Sequence, residues 1–511
     1  MREEITTDYS RLLEKYREMA ILSSASGILG WDMMTKMPPK GINLRSQQLA
    51  LLSGISHRMA TDPAIGALLE RLEQSQAQEQ LDSLQKRNLH LIRKGYDEQA
   101  ALPESLVTEM QRQSSLANNI WAKAKAANDW KMFLPELEKN VELAQKSAEI
   151  LMRVKKTATP YDALIDIYEP GMKADYIDRL FRELREGLIP LIDKIRRSAH
   201  QPDEKILKVK VPVENQRKLA VALAENLHYN VTSEESGGRI DETEHPFTTG
   251  YYDDVRITTH YYEEDFASSV FSVLHESGHA LYEQQLQPEW IYQPVGTACS
   301  TGVHESQSRL VENMVGRCAE FWTYFLPKLK ELTGNILAGV SQDEFVRAVN
   351  RVVPSKVRIE ADEVTYSLHV IIRFNLEKDL FAGKIEVKDL PELWNQSYRD
   401  YLGVKIENYS EGILQDMHWS AGNFGYFPCY ALGNIYSGQM LDRMSRDIPE
   451  WPRELEKGNF LPVKEWLFQK VHREGNLYDP PELIRRITGR EITVEPYLQY
   501  LNDKYARLYR F

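Results

Sequence analysis

Residues 273–284 read VLHESGHALYEQ, with His275 and His279 four positions apart and Glu276 directly after the first histidine. A helix rises about 1.5 Å per residue with 3.6 residues per turn, so both imidazoles fall on one face roughly 6 Å apart along the axis. That spacing suits two nitrogens closing on one metal ion, as in H-E-x-x-H zinc sites. A catalytic zinc takes three protein ligands and keeps a fourth place for water. A third histidine six residues after the second, the metzincin solution, is excluded because that position is Gln285. A glutamate from a later helix is the other common solution. STGVHESQSRLVENMVG offers Glu305, while Glu283, Glu289 and Glu312 are rivals that spacing does not exclude.

Zinc lowers the pKa of its water towards about 7. Glu276 neighbours a ligand but projects at a different angle, which places it to take that water's proton and pass it to a leaving amine. Amide hydrolysis also needs a donor to the tetrahedral oxyanion, and a histidine or tyrosine from elsewhere must supply it. The competing reading is a pair of hydrogen-bonded core histidines. A buried helix weighs against it, because Glu276 would then be a carboxylate in apolar surroundings with no partner. A closed structural zinc site in a binding scaffold would normally use four ligands, commonly cysteine, and Cys299 and Cys318 lack the paired spacing.

The elements that must hold these groups are mostly helical. Leu134, Leu137, Val141, Ala144, Ala148 and Leu151 recur at three and four, with Pro135 suited to a first turn. Residues 4–28, 80–100, 175–197, 214–228 and 306–336 have the same periodicity. One region differs: EHPFTTGYYDDVRITTHYY, 244–262, is rich in threonine, tyrosine and isoleucine and predicts a strand or hairpin. The following stretch, up to Pro288, is apolar on most faces and should be a buried helix. A mainly helical fold with a small sheet beside the histidine helix is expected. No linker composition divides the chain, so 1–511 is read as one large body, with 1–160 as a helical wall or lid of the groove and 161–511 carrying the metal.

A net charge of −12 argues against nucleic acid as a partner. No apolar run reaches the roughly 18 residues of a membrane span, and the charged start MREEITTDYS does not resemble a secretory signal. Three scattered cysteines, Cys299, Cys318 and Cys429, suggest reduced thiols and a cytoplasmic protein.

Several short motifs in order then carry a resemblance: WDMMTKMPPKG (31–41), HPF (245–247), DVRIT (254–258), HESGH (275–279), HESQ (304–307), VRIEAD (357–362) and GILQDMHW (412–419). Over most of its length the chain resembles the carboxypeptidase Taq family of metallocarboxypeptidases. The resemblance implies that Glu305 is the third ligand of one zinc ion per chain, which cobalt can replace. It also implies a deep groove, a homodimer, and release of single residues from peptides with a free carboxyl terminus, broadly but poorly at carboxy-terminal proline. An endo-acting zinc oligopeptidase is the nearest alternative.

A carboxypeptidase must grip a carboxylate, which a guanidinium does with two parallel bonds. Arg358 is the first candidate and Arg256 the second; either could instead form an ion pair with Asp254 or Asp362. His245 is placed to contact substrate or water, or to cap the strand. His418, Tyr426 and Tyr430 resemble the oxyanion-stabilising segment of other helical zinc oligopeptidases, although aromatics beside glycines also serve packing. Asp362, Gln415 and Asp416 are candidates for orienting a ligand histidine.

Overall fold

Threonine- and tyrosine-rich chain between two helices folds back on itself and makes the small sheet. In the computed structural model, which describes residues 2–511, β1 (Gly238–Glu242), β2 (Thr248–Tyr251) and β3 (Asp254–Thr259) lie in the order β1-β3-β2. β2 and β3 are the expected hairpin, antiparallel with Thr248 opposite Ile257; β1 runs parallel to β3 on its other side. Gly250 has φ 125°, and a Cβ there would sit 2.0 Å from the Asp254 carbonyl oxygen, so the tight return needs glycine.

The sheet lies on helix Phe266–Gln284, the histidine helix. Twelve of its 19 residues are buried, as its nearly all-round apolar character requires. Against it packs helix Thr301–Arg309, the glutamate helix, and against that helix Pro428–Asp447. Two glycines allow these approaches. A Cβ on Gly278 would lie 2.6 Å from the Gln307 carbonyl oxygen, and one on Gly433 would lie 2.7 Å from Glu305 Cγ. Ser300 caps the glutamate helix by accepting from the Val303 N–H at 3.0 Å, and the buried Glu169 carboxylate accepts from Gly302 N–H.

The single helix expected over 306–336 is interrupted. The glutamate helix passes into a π-helical turn, Leu310–Val315, and a new helix runs Ala319–Leu332, with the Cys318 sulfur accepting from Phe321 N–H. The apolar interior has a large cluster drawn from residues 117–509. A smaller one, with Leu12, Ile65, Leu69, Leu89 and Ile92, lies among the first helices. Helix Ile42–Ala60 buries none of its residues. Among the described residues, no helix is long and apolar enough to cross a membrane.

Candidate metal centre

One turn apart on the histidine helix, the His275 and His279 rings stand edge to face, with centroids 4.9 Å apart. Glu305 meets them from the glutamate helix: its Oε2 lies 3.6 Å from His275 Nε2 and 3.4 Å from His279 Nε2. These three donor atoms lie within 4.8 Å of one another. Two imidazole nitrogens and a carboxylate oxygen facing one point, with their other atoms already engaged, fit a divalent cation of the zinc type.

Those other atoms fix the geometry. His275 Nδ1 is 2.9 Å from Glu312 Oε2, which assigns its proton to Nδ1 and leaves Nε2 free. The π turn brings Glu312 into this position, and Arg317 holds its other oxygen at 3.1 Å. His279 Nδ1 pairs with His304 Nδ1, and His304 Nε2 lies 2.9 Å from Glu283 Oε1. Glu305 Oε1 accepts from Arg309 Nε at 2.6 Å, which turns Oε2 towards the histidines. Burial opposes the charge on Glu305, but Arg309 and the two histidines hold its carboxyl well below the usual carboxylate range. Of the rival carboxylates weighed from the sequence, Glu312 and Glu283 thus act on the histidines from behind. Spacing alone carried no signal for this, nor for His304.

Glu276 is 6% exposed and accepts from Thr248 Oγ1 on β2 at 2.6 Å. Burial pushes its carboxyl above the ordinary value, against the pull of His275 and Thr248. It lines a cleft of about 720 Å³ together with His275, His279, Glu305, Tyr426 and Tyr430. His418 stands behind the tyrosines, with Nε2 3.2 Å from the Tyr430 hydroxyl, and burial lowers its pKa to about 4. Tyr426 packs edge-on against Tyr168, 5.0 Å between centroids. His245 is exposed in the β1–β2 connection, next to Pro246 and Phe247 of the cleft wall.

Other expected site residues are placed elsewhere. Arg256 pairs with Asp254 through two bonds, at 2.7 and 2.8 Å, and lies over the Trp31 ring; neither residue lines the cleft. Arg358 is 5% exposed and donates twice to Asp416, at 3.0 and 2.8 Å, and once to the Tyr366 hydroxyl. Asp416 also holds Arg373, so two guanidinium groups share one carboxylate. Gln415 accepts from Arg358 N–H and Arg373. Asp362 accepts from the N–H groups of Val353, Val364 and Thr365 and so fixes the chain entering helix Tyr366–Phe381. The expectation that Asp362, Gln415 and Asp416 orient a ligand histidine is therefore corrected: their acceptor oxygens are taken by arginines and backbone amides.

The carboxypeptidase Taq (M32) metallopeptidase family matches residues 11–505. Thermostable carboxypeptidase 1 of Thermus thermophilus is 42% identical over 508 residues, which is 98% of this chain and 99% of the relative. Carboxypeptidase 1 of Bacillus subtilis is 38% identical, covering 99% of both chains. Among solved structures, an M32 carboxypeptidase from Deinococcus radiodurans R1 is similar with a TM-score of 0.94 at 36% identity, covering 99% of this chain and 100% of that one. Likeness of that depth along the whole length leaves a single assignment: the chain belongs to the carboxypeptidase Taq (M32) family of metallopeptidases.

Proposed function

We propose that this metallopeptidase is a cytoplasmic, homodimeric zinc carboxypeptidase that removes single residues from peptides with a free carboxyl terminus. Its specificity is broad, and carboxy-terminal proline is a poor substrate. One observation carries the reading: Nε2 of His275, Nε2 of His279 and Oε2 of Glu305 converge in a cleft that also holds Glu276. This donor set suits zinc and tolerates cobalt. When bound, the ion acidifies water and polarises the scissile carbonyl.

The chain's own residues do the rest. Glu276, its carboxylate steadied by Thr248, takes a proton from the attacking water and returns it to the departing amine. Burial keeps the Tyr430 hydroxyl protonated, so Tyr430, like its neighbour Tyr426, donates towards the carbonyl oxygen as that atom gains charge. His418 orients the Tyr430 hydroxyl. Arg358 and Arg373 share one aspartate, which leaves one net positive charge behind Tyr430 and draws the substrate carboxylate to that end of the cleft. His245 contacts substrate at the rim, beside Pro246 and Phe247 of the cleft wall.

The test is one peptide in two forms, free and carboxy-amidated, followed by mass with and without chelator. A ladder losing one residue at a time from the free form only, and stopped by chelator, is expected. Equal cutting of the amidated form would overturn the exo assignment in favour of an endo-acting oligopeptidase.

A further inference from the structure

A second cavity, of about 550 Å³, lies under the first helices and borders the metal cleft. Neighbouring residues form both boundaries: Thr248 faces the cleft and Thr249 the cavity, while Ala298 faces the cleft and Thr297 the cavity. We propose that this cavity is a substrate subsite that receives a bulky apolar side chain on the amino-terminal side of the scissile bond. The proposal rests on the peptidase reading above.

Position follows from the strand. β2 is at the edge of the sheet, so one of its sides has no strand partner, and an extended peptide can lie along it. Thr248, at the start of β2, touches Glu276; Tyr251, at its end, lines the cavity. At about 3.3 Å per residue those points are roughly 10 Å apart, the length of about three peptide residues. An enzyme that releases one residue has only one residue beyond the scissile bond. A three-residue reach can therefore only run towards the substrate's amino terminus.

Chemistry follows from the lining. Helix Arg2–Thr35 supplies Met19, Ala20, Gly27 and Ile28, and helix Ser83–Ala101 supplies Ile92 and Gly95. Small residues on two facing helices leave room that an incoming side chain fills. Among the described residues, Glu98 is the one charged residue in the lining, and Lys155 lies 3.1 Å from it. With that one charge countered by Lys155 and the rest of the lining neutral, a neutral apolar or aromatic side chain is favoured over a charged one.

The experiment uses the whole enzyme and a set of hexapeptides of common carboxy-terminal residue, with one phenylalanine moved along an otherwise small-residue sequence. An amino-blocked dipeptide, too short to reach the cavity, is the control. Gly27→Leu fills the space: a Cβ there meets only Thr249 Oγ1, at 3.7 Å, and leucine favours a helix more than glycine does. Wild-type kcat/KM is expected to rise about 10-fold when phenylalanine stands near the third residue before the scissile bond. That gain should vanish in Gly27→Leu while the dipeptide is cut as before. No gain at any position in the wild type, a gain that survives in Gly27→Leu, or an equal loss on the dipeptide would each overturn the subsite. Wild-type inactivity on every peptide, dipeptide included, would instead remove the peptidase reading and the subsite with it.

Discussion

Glu276 and Glu312 both lie within reach of His275, yet only Glu276 lines the cleft. Their amide variants should therefore fail in different ways. Glu276→Gln is expected to keep its metal and lose about 10²–10⁴-fold in kcat, checked by metal analysis alongside peptide assay. Glu312→Gln is expected to bind the metal about 10- to 100-fold more weakly, checked by competition with a chelator. The sequence made the placement of Glu276 beside the histidine pair legible, because the i, i+4 histidines and the glutamate between them lie in one stretch. It did not reveal that of Glu312. Glu312 is 37 residues from His275, and its approach depends on a π turn that apolar periodicity reads as ordinary helix. Asp416 was read from the sequence as a group orienting a ligand histidine; its pairing with two arginines from separate elements carried no sequence signal.

At the level of elements, the metal centre depends on close backbone approach as well as on bonds between helices. Gly433 faces Glu305, where an added methyl would press on the side chain itself; Gly278 faces the Gln307 backbone. Gly433→Ala is expected to weaken metal binding and to lower stability by about 1–3 kcal/mol as an overpacked core site, even though alanine favours helix by about 1 kcal/mol over glycine. Metal titration and thermal unfolding of the variant measure both. The hairpin at 244–262 and the buried histidine helix were readable from their composition. β1 was not, since Gly238–Glu242 is short and shows little alternation of burial. Nor was the break after Val315, where Gly316 packs against Leu274.

For the whole molecule, metal binding and folding are linked, because three ligands come from two helices of the main core. A metal present at about 1,000 times its dissociation constant adds about 4 kcal/mol to the stability of the folded state. Chelation is therefore expected to lower the unfolding temperature, and restored zinc to raise it again, as followed by calorimetry. The largely helical architecture was plain from the repeated three- and four-residue apolar spacing. The separate small core among the first helices was not, because that spacing shows which face a helix buries but not what it is buried against.

The π turn at Leu310–Val315 has a last consequence. Such a turn holds one residue more than regular helix, and regular helix is the commoner, better-bonded form. Losing any one residue there would let the segment relax into an ordinary spiral, at no evident harm to the surrounding fold. The helix that follows would keep its place, because the extra residue is taken up within the turn; residues inside the turn would face new directions, carrying Glu312 away from the first histidine. The irregularity is thus a registration mark: the chain's length between Glu305 and Arg317 is set by chemistry, not by what would make the sturdiest rod.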